Sequence, residues 1–295
     1  MGRRWVAALI LVLLAVPAAA QVSLPRLFVV EETLRGSDEE TLRWPVAVAA
    51  ASADEFAVAD AFEPRVFLFR RGGVSWRLDV VAPLPAAPAG LVHDGGRYLV
   101  SLRGDGGLVA LEGPRLLARK IGLPRDVVPG PLAARDGGGI WVFDYAGGRV
   151  LGLERDGSLE REIAVAERVT ALAARSGGGL YAAVADRAAV LRFDASGGRE
   201  EPWILPGDGP VPAWPVSLVA EPAGGLVLID RHGARLLVLD DAGEPVGSGA
   251  RKGMEPGLLR FPSAVARLTD GRYVVADEGN GRAQIFRRTD RGAAR

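Results

Sequence analysis

Short apolar runs, each closed by a polar or glycine-rich turn, follow one another along most of this chain. Typical are Phe56-Ala57-Val58-Ala59, Ile140-Trp141-Val142-Phe143, Leu226-Val227-Leu228-Ile229 and Tyr273-Val274-Val275-Ala276. A run of smaller residues precedes each, such as Val46-Ala47-Val48-Ala49 or Ala264-Val265-Ala266. An alternating run follows, such as Val66-Phe67-Leu68-Phe69 or Val190-Leu191-Arg192-Phe193. Runs of this length, rich in β-branched and aromatic residues and bounded by Gly, Asp and Pro, read as β-strands. No stretch carries the helical period over a useful length. Turns such as Gly137-Gly138-Gly139, Gly177-Gly178-Gly179 and Asp270-Gly271 supply the positive φ that tight hairpins need.

The pattern repeats. Pro262 is followed fifteen residues on by Asp277, and five further by Arg282; the same spacing joins Pro45, Asp60 and Arg65, then Pro129, Asp144 and Arg149, then Pro215, Asp230 and Arg235. Two further units keep the strands and lose the pair: Leu102 and Gly107 stand in its place in one, Val184 and Ala189 in the other. The six equivalent positions, 60, 102, 144, 184, 230 and 277, lie 40 to 47 residues apart, which is the repeat length of a propeller blade. Six units of four strands predict an all-β fold, a six-bladed β-propeller of four-stranded blades. The last unit runs out after Ile285-Phe286 without an outer strand, whereas residues 26–34 form a surplus strand ahead of the first unit. The N-terminal strand is therefore expected to close the ring in the last blade, which removes an exposed edge.

Residues 1–20 read as a secretory signal: a basic Gly2-Arg3-Arg4, an apolar run over residues 6–16, and Ala18-Ala19-Ala20 as a cleavage site. Arg3-Arg4 is the feature shared with twin-arginine signals; a plain secretory signal suits the segment as a whole. The apolar run is short for a bilayer span, and no second one follows, so no membrane span is expected after cleavage. Residues 21–295 are then a single propeller domain, periplasmic or secreted.

Lys plus Arg and Asp plus Glu each total 36, a balance without the electrostatic footprint of a nucleic-acid binder. Cysteine is absent, which excludes disulfides, thiol catalysis and Cys-ligated zinc or iron–sulfur centres. The chain has two histidines, His93 and His232, and one asparagine, Asn280. A catalytic zinc site without cysteine wants several His, and calcium sites draw on convergent carboxylates and amides. No metal and no cofactor are expected, with a calcium-type ion in the central channel left open. Neither a Ser-His-Asp set nor a phosphate loop stands out.

The unit Phe261-Pro262-x-x-Val265, Asp270-Gly271-x-Tyr273-Val274-x-x-Asp277, Gly279-Asn280-x-Arg282, Ile285-Phe286 resembles the NHL repeat, and the likeness covers essentially the whole chain after the signal. The resemblance implies a six-bladed propeller that binds through the face carrying the Asp–Arg loops and the long inter-blade loops. NHL-like propellers include peptide-amidating lyases, relatives of gluconolactonases, RNA binders and extracytoplasmic scaffolds, and the fold selects none of them.

Asp60, Asp144, Asp230 and Asp277 offer carboxylates for a metal or for acid–base work. They recur at equivalent positions, however, and an active site is asymmetric. They are read as architecture: each caps its own loop, with Arg65, Arg149, Arg235 and Arg282 pairing nearby. No catalytic residue is assigned. Partner contacts are expected from loops that differ between units, at Phe62, Tyr145, Arg231 and His232, and from Trp203 in the Pro-stiffened segment 202–215. Trp44, Trp214 and Phe261, each directly before a repeat Pro, are expected to pack between blades. The reading is an exported, non-catalytic scaffold for a protein partner in the envelope, or a peptide or carbohydrate one. The alternative is a hydrolase or lyase of the lactonase or amidating-lyase type, with its site in the central channel.

Overall fold

The computed structural model describes residues 24–289. The segment read as a signal, residues 1–20, lies outside the described residues. Twenty-four strands and three short 3-10 turns fall within them, and the strands form six four-stranded antiparallel sheets. Blade 1 consists, from the axis outward, of Pro45–Ala50, Glu55–Asp60, Arg65–Gly72 and Ser75–Pro83. The innermost strands of blades 2 to 5 are Pro88–His93, Pro129–Ala134, Ala171–Arg175 and Pro215–Ala220. Blade 6 is built from Ala264–Arg267, Tyr273–Asp277 and Arg282–Arg288, and its fourth strand is the N-terminal Phe28–Leu34. Innermost strands of successive blades touch in order, and that of blade 6 touches that of blade 1. The protein is a six-bladed β-propeller.

Ring closure follows the expected route. Phe28–Leu34 runs antiparallel to Arg282–Arg288, from the pair Phe28/Arg288 to the pair Leu34/Ala283. The residues just before it also latch onto the outer strand of blade 5: the Leu27 N–H donates to the Ser248 carbonyl and the Ser248 N–H to that of Pro25, both at 2.9 Å. The outer strand Pro245–Gly249 leaves room for this latch, because a Cβ on Gly247 would stand 2.1 Å from Leu27 Cδ1.

The core is divided into six wedges, one at each junction between blades. Near the axis they contain Ala47, Ala49, Ala133, Ala171 and Ala173, since the strands converge there and leave little volume. Further out the same wedges hold Phe56, Phe67, Phe69 and Trp76, or Phe143 and Phe193. Burial of each such ring contributes roughly 1.5–3 kcal/mol. Small hydroxyls tie one blade to the backbone of the next. Ser101 donates to Gly130 O at 2.6 Å, Thr170 to Pro215 O at 2.7 Å and Ser263 to Pro45 O at 2.7 Å, while Ser217 Oγ accepts from the Val265 N–H at 3.0 Å.

The two units without the Asp–Arg pair are complete blades, with Leu102 and Val184 buried where Asp stands elsewhere. Blade 4 is reduced at its rim to Trp203–Ile204. Pro202 and Pro206 flank that strand and have no N–H to extend the ladder.

Candidate binding face

All the Asp–Arg loops open at one end of the ring, beside the segments that lead from one blade to the next. In blade 1, Asp60 is in register with both Pro45 and Arg65, and Arg65 with Pro83. Asp144 Oδ1 accepts the N–H groups of Val128 and Ala146, each at 3.0 Å, and Oδ2 accepts Arg149 Nε at 2.9 Å. Burial alone would raise its pKa, but the bonds from Val128, Arg149 and the loop N–H groups together hold the carboxyl below its usual range. Asp230 takes the Trp214 N–H and Arg235 Nε at 2.9 Å each. Asp277 takes the Arg260 N–H and Arg282 Nε, both at 2.7 Å, with Asn280 and Gln284 amides at 2.8 and 3.0 Å. All three are buried. Their lone pairs point at loop donors, which leaves them no geometry for a metal or a substrate.

Blade 1 departs from the other three. Asp60 accepts backbone N–H groups from Arg43, Trp44 and Phe62 at 2.7, 2.8 and 2.9 Å. Arg65 turns away from it, to Glu40 and, at 3.1 Å, Glu63. Asp60 thus orders the two segments that carry Trp44 and Phe62.

Among the described residues four aromatic side chains are exposed, Trp44 (50%), Phe62 (54%), Tyr145 (43%) and Phe261 (49%), and all four lie at this end of the ring. Trp44 and Phe261 do not fill the inter-blade position expected of them. The buried residues there are Pro45 and Pro262; the chain bends at Trp44 and at Phe261, whose φ is +47°, and both rings face outward. Phe62 and Tyr145 sit where the sequence places them. The Arg43 guanidinium lies 4.9 Å from the Phe62 ring centre. Tyr145 packs edge-on against Phe143 at 5.2 Å, over Gly130, whose Cβ would come within 2.4 Å of the ring. Partial burial pushes its phenol above the usual pKa.

Arg231 and His232 reach the same face in different states. Arg231 makes a bidentate pair with Glu278, both contacts 2.8 Å, and donates to the Phe261 carbonyl at 3.0 Å. It is a tie between blades 5 and 6 more than a free contact group. His232 is exposed and stacks on Trp214, ring centres 4.9 Å apart. The structure thus gathers Phe261, Arg231 and His232 at blades 5 and 6, with Trp44 and Phe62 next in the ring at blade 1, and leaves Tyr145 apart on blade 3. Trp203 is not a contact residue. It is 7% exposed, lies against Tyr181 and under Arg192, and fills the space over Gly243, where a Cβ would meet its ring at 2.4 Å.

The central channel encloses about 330 Å³. It is lined by the innermost strands, chiefly Ala, Val and Leu, with Arg267 and His93 as its charged or titratable residues and no Asp or Glu among its lining. Its hydroxyls, Thr170, Ser217 and Ser263, are engaged in the inter-blade bonds. His93 stands at one mouth, its pKa lowered by burial against the opposing pull of Asp94 and Glu55, with Nδ1 accepting the Gly95 N–H at 3.3 Å. At the far end of the ring, Tyr98 donates to Glu55 at 3.2 Å and Tyr273 to Glu221 at 2.7 Å, and burial raises both phenols well above their ordinary values. Among the described residues no three His, Cys, Asp or Glu side chains converge as a metal site.

No protein-family model and no curated protein matches the sequence. Solved structures do match. A streptogramin B lyase aligns with 89% of this chain and 98% of its own, with a TM-score of 0.64 at 16% identity. A catalytically inactive virginiamycin B lyase from Staphylococcus aureus, determined with quinupristin, aligns with 89% of this chain and 88% of its own, at a TM-score of 0.62 and 15% identity. An auxiliary nutrient binding protein from Bacteroides ovatus aligns with 91% of this chain and 78% of its own, at 0.66 and 14%. At such identities the likeness establishes the fold.

Proposed function

We propose that this protein is an exported, non-catalytic binding propeller of the NHL type, which holds a protein partner on the face built from its Asp–Arg and inter-blade loops. The observation that carries this reading is the gathering, among the described residues, of the four exposed aromatic side chains at that one end of the ring. Large rings left half in water cost solubility, and aromatic groups dominate interface energetics. The alternative, a hydrolase or lyase working in the central channel, draws no support from a lining of mostly apolar residues in which Arg267 and His93 have no carboxylate beside them among the lining residues. The lyases among the structural neighbours resemble this chain in fold, and so do the nutrient-binding proteins.

The test is site-specific photo-cross-linking in the cell envelope, with the reactive group placed at Phe62 or Phe261 on the loop face and at Val74, an 87% exposed turn residue at the far end. A defined adduct from both loop-face positions, absent from Val74 and lost on Trp44→Ala, is the expected result. Adducts of equal yield from all three positions, or from Val74 alone, would place binding elsewhere.

A further inference from the structure

Between the loops of blades 5 and 6 the binding face is indented by a cavity of about 210 Å³. Its apolar walls are Val211, Ala234 and the ring of Phe261. Four nitrogen-bearing side chains complete it: Arg231, His232, Lys252 and Arg260. No carboxylate is part of the lining. Two of the four are already committed. Arg231 is neutralised by Glu278, and His232 Nδ1 is within 3.3 Å of the Pro212 carbonyl, to which it donates. Lys252 and Arg260 are exposed. Neither has an ion pair or side-chain hydrogen bond among the described residues, and Arg260 has only the Phe261 ring, 6.0 Å from its guanidinium carbon. The backbone of Phe261 is held at φ +47°, a left-handed conformation that a bulky residue adopts only where its surroundings impose it. Arg231 holds this peptide by donating to the Phe261 carbonyl at 3.0 Å, and the ring forms a wall of the cavity.

The chemistry of the walls selects the occupant. Unpaired cations beside apolar surface favour a group that carries a carboxylate and an apolar body together. The volume is below the roughly 300–1,000 Å³ of ordinary small-molecule sites and suits a single amino-acid residue. An internal Asp or Glu would bring its carboxylate at the tip of the side chain and leave Val211 and Phe261 uncovered. A chain end carries its carboxylate and its side chain on the same Cα, so both kinds of wall are met at once.

We infer that this cavity receives the C-terminal residue of the partner, with the main-chain carboxylate between Lys252 and Arg260 and an apolar side chain against Phe261 and Val211. The inference rests on the reading of the loop face as the binding face and goes further, by naming what enters it.

Calorimetric titration of the whole protein with short N-acetylated peptides ending in Leu or Phe tests it. The free-acid peptides are expected to bind saturably, and amidation of the C-terminus to weaken them about tenfold or more. Lys252→Gln and Arg260→Gln are expected to weaken the acids without affecting the amides and without lowering the melting temperature. Added salt is expected to weaken the acids, because both cations are exposed to screening. Equal affinity for acid and amide, tighter binding of an amidated peptide with an internal Asp, or no binding of any free acid would each overturn the inference. Cross-linking separates this from failure of the broader reading. If the Lys252→Gln, Arg260→Gln double variant still gives the Phe62 adduct at parental yield, the face binds and the cavity does not take the chain end. If the adduct is lost along with peptide binding, both readings gain.

Discussion

Phe28 of the closing strand occupies the space above Gly249 of blade 5: a Cβ on Gly249 would stand 2.4 Å from Phe28 Cδ2 and 2.7 Å from its Cβ. The ring of Phe28 is meanwhile placed edge-on to Tyr273 of blade 6, centroids 5.4 Å apart. One aromatic residue on the N-terminal strand thus joins the two blades on either side of the seam. Gly249→Ala is expected to destabilise by about 1–3 kcal/mol through overpacking. Phe28→Ala is expected to cost a similar amount through the lost ring. The double variant should cost somewhat less than the sum, because loss of the ring removes the 2.4 Å contact with Cδ2, although the 2.7 Å contact with the Cβ of residue 28 remains. Chemical denaturation of the four proteins measures the coupling, and strict additivity would mean that the seam is not closed in this way.

The second relationship concerns the Asp–Arg loops. Asp144 and Arg149 are bonded at 2.9 Å, whereas Asp60 is satisfied by three backbone N–H groups and Arg65 by Glu40 and Glu63. Asp144→Ala is expected to cost about 1–3 kcal/mol, since it leaves the loop N–H groups of Val128 and Ala146 and the Nε of Arg149 without their acceptor, Arg149 keeping only its bond to Glu162 at 3.0 Å. A double-mutant cycle of Asp144→Ala with Arg149→Met should show coupling on the order of 0.5–3 kcal/mol. The equivalent cycle at Asp60 and Arg65 should show almost none, although Asp60→Ala by itself remains costly. Similar coupling in the two blades would refute the geometric distinction.

Much of this was legible in the chain. The spacing Pro-x14-Asp-x4-Arg located four blades, and the strand pattern located the two in which Leu102 and Val184 replace the acid, because alternation and turn chemistry persist where the motif does not. The surplus strand announced ring closure. The site was less legible, for reasons that lie in side-chain direction. Their position next to a repeat Pro puts Trp44 and Phe261 in the core by sequence, but the chain bends at both residues just before the buried Pro45 and Pro262, and the rings end up outside. Trp203 looked available because its surroundings are Pro-rich, but Gly243 removes the side chain that would have kept it out of the core. The Arg231–Glu278 tie did leave a signal. Both residues directly follow a repeat Asp, so opposite charges at equivalent positions of successive blades face each other across the junction.

Two groups give the stability a pH dependence of known sign. The folded state holds His93 neutral, its pKa lowered from 6.5 by burial, so on acidification the unfolded chain takes up that proton first. The stability His93 contributes is present above pH 6.5 and is lost as the pH falls below it. Asp144 acts in the same direction at lower pH: its folded pKa lies below 3.8, and its contribution is present above that value and lost on further acidification. His93→Gln should flatten the decline in melting temperature between about pH 7 and 5.5 and leave the decline at lower pH in place, whereas Asp144→Asn should do the reverse. A His93→Gln profile parallel to that of the parent would show that His93 is not held neutral.

Phe261 allows a binding role to be separated from a structural one. Its left-handed backbone, at φ +47°, costs a non-glycine residue about 1–2 kcal/mol. Arg231 fixes the strained peptide by donating to the Phe261 carbonyl at 3.0 Å, and the ring is left half in solvent. If the ring serves only the fold, Phe261→Ala and Phe261→Gly both remove what it contributes, yet the glycine variant alone also releases the strain. The glycine variant is therefore expected to be more stable than the alanine variant by about 1–2 kcal/mol, whatever the function. Partner binding discriminates between the roles. An interface anchor is lost equally in both variants, so the photo-adduct formed from position 62 should fall about tenfold or more in each, with no recovery in the more stable protein. Adduct yields that follow stability, lower in the alanine variant and restored in the glycine one, would make Phe261 a structural residue. Yields at the parental level in both would remove it from the interface altogether.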